Sequence, residues 1–97
     1  MRRGYKCGRD TVVVYLARTV DSRRVAGFAV SKAVGGAVVR NRVKRRLRAI
    51  VAADLASLPA GARVVVLALP AAATASFSEL SSDVASALAS VAAKASA

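Results

Sequence analysis

At 97 residues the chain is long enough for a single domain, 1–97, with one modest core, and its 16 Lys and Arg against five acids give a net charge of +11 at pH 7. Residues 1–48 carry 14 of those bases against Asp10 and Asp21, a net of +12, so the first half looks toward an anionic partner and the second half completes the fold. One cysteine, Cys7, and no histidine exclude an intramolecular disulfide, a Cys/His zinc cage and histidine acid–base chemistry.

Residues 1–10 are basic and contain Gly4 and Gly8, which reads as a basic arm or loop ahead of a folded core over 11–93. No N-terminal apolar segment resembles a signal peptide. The longest apolar run, Val64 to Ala75, is too short to span a bilayer and contains Pro70. The expected setting is cytoplasmic, with no membrane partner and no small-molecule substrate.

Thr11 to Ala17 is β-branched and aromatic, so it is predicted as a strand. Period two puts Val12, Val14 and Leu16 on one face and Thr11, Val13 and Tyr15 on the other. Taken alone, Tyr15 reads first as a half-buried sheet tyrosine and second as a platform on which a base could stack. Asp21-Ser22-Arg23-Arg24 reads as a polar turn and Val25 to Ser31 as a second strand, which predicts an antiparallel hairpin. Ala26, Phe28 and Val30 give that strand one bulky face. Gly27, Ala29 and Ser31 leave the other small enough for close approach by a partner.

After a turn at Lys32 to Gly36, a helix is predicted from Ala37 to about Ser57, closed by Pro59 and Gly61. Its apolar seam starts narrow at Val39, Val43 and Leu47 and widens through Ile50, Val51, Leu55 and Leu58. The stretch Arg40 to Arg48 reads Arg-Asn-Arg-Val-Lys-Arg-Arg-Leu-Arg, six cations in nine residues. The pairs 40/44, 44/48, 42/46, 42/45 and 45/48 place like charges three or four apart, each opposing the helix by about 0.2–0.5 kcal/mol. The cations also crowd the positive end of the helix macrodipole. Such a helix is costly alone and makes sense where phosphates neutralise it. Arg63 to Leu69 is predicted as a central strand buried on both faces. Ser76-Phe77-Ser78-Glu79 is a capping box. Behind it Phe77, Leu80, Val84, Leu88 and Val91 recur at helical spacing as a core stripe to about Ala93.

From Gly27 the chain reads Gly-Phe-Ala-Val-Ser-Lys-Ala-Val-Gly-Gly-Ala-Val-Val and then Arg40-Asn41-Arg42-Val43-Lys44-Arg45-Arg46-Leu47-Arg48. Ser31-Lys32, Gly35, Ala37-Val38 and the Arg-Asn-Arg core at these spacings closely resemble the protein component of bacterial ribonuclease P. The resemblance extends from about Gly4 to Val91. It implies an α+β two-layer sandwich, strand–strand–helix–strand–helix, with the basic helix in a split β–α–β crossover that is left-handed in the family.

The resemblance further implies the protein subunit of a ribonucleoprotein endonuclease that removes the 5′ leader of precursor tRNA. Catalysis lies with an RNA subunit using Mg²⁺, and this chain is expected to hold neither catalytic residues nor a metal site. The implied partners are the catalytic RNA and precursor tRNA. The implied RNA contacts are Arg40, Asn41, Arg42, Lys44, Arg45, Arg46 and Arg48, with Ser31 and Lys32 at the turn feeding the helix. Tyr15, Val13 and Thr11 are the implied leader-binding residues. The family normally begins with a helix ahead of the position where Met1-Arg2-Arg3-Gly4 stands, so one sheet face is expected to be open. At Leu67-Ala68-Leu69, relatives often carry a basic residue. Two alternatives have distinct signatures. A ribosomal or assembly factor would bind structured RNA without stimulating leader removal. A helix-turn-helix DNA-binding module needs a helix just before the basic one.

Overall fold

The computed structural model describes residues 4–20 and 23–96. In chain order the elements are β1 (Gly4–Gly8), β2 (Val12–Arg18), β3 (Val25–Val30), α1 (Ala37–Asp54), β4 (Ala62–Ala68) and α2 (Phe77–Ser96), with short 3₁₀ turns at Leu55–Ser57 and Pro70–Ala73. The sheet order is β1-β2-β4-β3. β1 and β4 run antiparallel to β2, and β3 runs parallel to β4. Both helices lie on one face, α2 across β1 and β2 and α1 against β3, and they touch each other. The expected two-layer α+β sandwich is present.

Two expectations about the strands are corrected. Residues 4–8 form a strand, not a loop, with Tyr5 and Cys7 turned toward the core and Gly4, Lys6 and Gly8 turned out. Met1 to Arg3 of the expected arm fall outside the described residues. The predicted hairpin between the second and third strands does not form, because β4 enters between β2 and β3. Val64-Val65-Val66-Leu67 is the most apolar strand, and a central place lets its backbone pair on both sides. The gap this opens is two strand spacings, about 10 Å, which residues 19–24 span easily at about 3.3 Å each. Asp21 and Ser22 of the expected turn lie outside the described residues. Thr19 N–H donates to the Gly61 carbonyl at 3.0 Å and Arg24 Nε to the Leu58 carbonyl at 2.8 Å, tying both ends of that connection to the α1–β4 corner.

The core lies between the helices and the inner face of the sheet. Val12, Val14 and Leu16 meet Val64 and Val66, and above them sit Val43, Leu47, Ile50 and Val51 of α1 with Leu80, Val84, Leu88 and Val91 of α2. The capping box forms as predicted: Glu79 N–H donates to Ser76 Oγ at 3.0 Å, and Ser76 N–H donates to Glu79 Oε1 at 2.8 Å. Phe77 is a correction to the stripe, being 48% exposed, because it stands at the first position of α2 beyond the sheet's cover. Helix α1 has weak local support. Its N-cap, Gly36, provides no side-chain hydrogen bond, and no acid sits in its first turn. Packing of its apolar seam therefore holds it in place.

A further correction concerns β4. Its inner residues Val64, Val66 and Ala68 are buried, but Val65 is 44% exposed. With both helices on one side, the described residues leave the second face of the sheet open.

Candidate nucleic-acid interface

The strand register lays out the open face row by row. Gly4, Ala17, Arg63 and Val25 form the first row across the four strands. Lys6, Tyr15, Val65 and Gly27 form the second, and Gly8, Val13, Leu67 and Ala29 the third. Tyr15 is 40% exposed at the centre. Beside it, Lys6 and Arg63 place cations at the β1 and β4 positions of adjacent rows. Around Tyr15 the face sinks into a depression of about 560 Å³, lined on its apolar side by Ala17 and Val65. At Gly27 an added Cβ would meet nothing within 4 Å, so the β3 side of this face lies flat and accessible. An aromatic ring, flat apolar ground and flanking cations suit an unstacked base with its phosphate.

Tyr15 and Val13 therefore stand where period two places them. Thr11 does not. It is 5% exposed, and both its N–H (3.2 Å) and its hydroxyl (2.7 Å) donate to Asp83 Oδ2 of α2. Thr11 precedes β2, so the alternation that governs Val13 and Tyr15 does not extend to it, and it anchors α2 instead. Lys6, Arg63 and Val65 are the open-face residues that the sequence reading missed. The polar–apolar alternation of Tyr5-Lys6-Cys7 was a legible signal for β1. No alternation marks Val65 within its run of valines.

The basic helix lies on the opposite side of the sheet, and its cations divide between two flanks. Arg42 donates from a terminal guanidinium nitrogen to the Ala73 carbonyl at 3.2 Å, and Arg46 to the Ala75 carbonyl at 3.4 Å. These bonds fix both stems against the turn before α2 while leaving their charge uncompensated. Arg45 and Arg48 lie on the other flank, beside β3. Arg40 and Lys44 are half-buried, and Asn41 is exposed. The Nε atoms of Arg40 and Arg42 are buried without a hydrogen-bond partner. Among the described residues, none of the six cations makes an ion pair with a carboxylate. Glu79 is occupied by its capping box and Asp83 by Thr11.

The two surfaces meet at one end of the sheet. β3 ends at Val30, Ser31 and Lys32 follow exposed, and a tight turn leads into α1. Val34 N–H donates to the Ser31 carbonyl and Gly35 N–H to the Lys32 carbonyl, while Ser31 Oγ accepts from Ala33 N–H. Gly35 has φ +157°, and a Cβ there would sit 3.0 Å from Val39 Cβ. The turn thus needs glycine to bring α1 back over the sheet. Ser31 and Lys32 connect the open face to the cationic helix, though the two surfaces do not share one cavity. The element before α1 is a strand and a turn, so the arrangement of a helix-turn-helix module is absent.

An uncompensated cationic helix joined to an open, partly aromatic sheet face is the build of a small α+β RNA-binding protein. A family model described as Ribonuclease P matches residues 1–92, and the chain belongs to that family. It is 57% identical over 86 residues to the ribonuclease P protein component of Acidothermus cellulolyticus, covering 86% of this chain and 71% of that one. It is 51% identical to the component from Nocardioides, covering 86% and 74%. Among solved structures, the Staphylococcus aureus RNase P protein superimposes with a TM-score of 0.80 at 25% identity, covering 92% of this chain and 84% of that one.

Proposed function

We propose that this chain is the subunit that seats precursor tRNA on a catalytic RNA, and that the RNA, using Mg²⁺, hydrolyses the phosphodiester at the leader junction. The observation that carries this reading is the set of six cations on α1 with no carboxylate partner among the described residues. Arg40, Asn41, Arg42, Lys44, Arg45, Arg46 and Arg48, with Ser31 and Lys32, contact the RNA framework. Tyr15 and Val13 face the single-stranded leader, joined by Lys6 and Arg63. Thr11 supports this site from within the fold and touches no RNA.

Among the described residues no three of His, Cys, Asp and Glu cluster together. Among the described residues no helix is long and apolar enough to cross a membrane.

Reconstitution tests the proposal. The purified chain is added to its catalytic RNA at low Mg²⁺ and processing of a precursor tRNA is followed. Stimulated leader removal is expected, with a log–log salt slope near −4 to −5 for about six phosphate contacts. Arg40→Ala and Arg46→Ala should each weaken binding and slow processing. Variants that stimulate as well as the parent would remove those residues from the interface. A chain that binds structured RNA without stimulating processing would point to an assembly factor instead.

A further inference from the structure

Strand β3 forms one edge of the sheet, and among the described residues no strand pairs with its outer side. Its sequence, Val25-Ala26-Gly27-Phe28-Ala29-Val30, contains neither the lysine nor the proline that usually blunts such an edge. The opposite edge, β1, carries Lys6. Beside β3, on the helix side of the sheet, runs a groove of two adjoining hollows of about 530 and 650 Å³ that share Ala52 and Leu55. Its floor is apolar, with Ala26 and Phe28 from β3 facing Leu55. Its rim is cationic, with Arg45 and Arg48 on α1 and Arg23 and Arg24 at the start of β3.

We infer that this groove accepts an extended acidic peptide segment of a partner protein, which adds to β3 as a fifth strand. Its alternate carboxylates turn to the helix side, where they meet Arg24, Arg45 and Arg48 with their stems over Phe28 and Leu55, and the apolar side chains between them lie on the open face beside Gly27 and Ala29. The edge selects a polypeptide because it presents alternating N–H donors and C=O acceptors, which another strand complements and a phosphate backbone, rich only in acceptors, does not. The rim selects against a second copy of this chain. Two such edges would bring matching arginines together on molecules of net charge +11 each. A strand lodged between a sheet edge and a helix is an established mode of peptide recognition. Six residues of β3 offer about 20 Å of edge. Occupation covers Arg45 and Arg48, so the partner and RNA compete for that flank of α1.

The probe is a fluorescein-labelled heptapeptide, Glu-Val-Glu-Val-Glu-Val-Glu, titrated into the full chain at low salt. Two further forms carry N-methyl groups on every valine or on every glutamate. Amides of alternate residues point to opposite edges of a strand, so one methylated form should bind like the parent peptide and the other at least tenfold more weakly. Hydrogen exchange at the β3 amides should slow when peptide is bound. Arg45→Glu combined with Arg48→Glu should weaken binding at least tenfold. Arg42→Glu combined with Arg46→Glu, the same charge change on the other flank, should alter it less than threefold.

Equal behaviour of the two methylated forms, in unaltered protein, overturns strand addition. Equal losses from the two double variants overturn the placement on β3. Decauridine that protects the β3 amides assigns the groove to RNA. A dimer of the free chain that protects those amides assigns it to a second copy. Either result overturns the inference.

Discussion

Replacing Arg45 with glutamine should make the protein more stable and a poorer ligand for RNA at the same time. Arg45 is exposed near the middle of α1, with like charges three residues away on either side at Arg42 and Arg48. Each such pair opposes the helix by about 0.2–0.5 kcal/mol, so neutralising Arg45 should relieve about 0.4–1 kcal/mol. Glutamine keeps much of the side-chain stem against the groove and has a helix propensity close to that of arginine, so the charge is the main change. In a chain of 97 residues about 1 kcal/mol moves Tm by about 4–8 °C, so the expected rise is roughly 2–8 °C. The assay is a pair of thermal melts, one at low salt and one at about 1 M, where the Debye length falls to about 3 Å and the gain should vanish. In parallel, the salt slope of RNA binding should become shallower by about 0.7–0.9, the contribution of one phosphate contact. A fall in Tm at low salt, a rise that survives high salt, or an unchanged RNA slope would each refute the claim that self-repulsion on α1 is sustained for RNA.

Asp83→Ala leaves the two donors of buried Thr11 unpaired and should cost about 2–4 kcal/mol by urea unfolding, whereas Asp83→Asn, which keeps an acceptor, should cost about 1 kcal/mol. Neither change should alter the salt slope of RNA binding, since Thr11 and Asp83 bond each other and, among the described residues, no hydrogen bond joins either to a cation of α1. Gly35→Ala forces a side chain into an unfavourable φ and against Val39, so a loss of about 1–3 kcal/mol is expected in the same urea assay. Tyr15→Ala removes a ring that is 40% exposed; it should weaken binding of a single-stranded leader by about 1–3 kcal/mol while leaving the urea midpoint nearly unchanged.

Much of the fold could be read locally. The capping box before α2 and the seam of Val43, Leu47, Ile50 and Val51 were legible because a helix repeats its contacts every three or four residues. The alternation around Tyr15 was legible for the same kind of reason, and it failed one residue before the strand begins, at Thr11. The charge density of α1 was legible without any structure, since no fold makes six cations in nine residues mutually attractive.

Strand order was decided elsewhere. Whether β2 pairs with β3 or with β4 depends on which run gains most from bonding on both sides, a competition among segments far apart in the chain. Val65 shows the consequence: within Val64-Val65-Val66 nothing distinguishes it from its neighbours until both helices settle on one side of the sheet and leave it on the other. The sequence by itself determined the cationic helix, its apolar seam and the caps, because those follow from neighbours a few residues away. The tertiary structure alone decided that β4 is central, that β3 ends the sheet among the described residues, and that Lys6, Tyr15 and Arg63 share a face, because burial and strand pairing are settled by the whole chain at once.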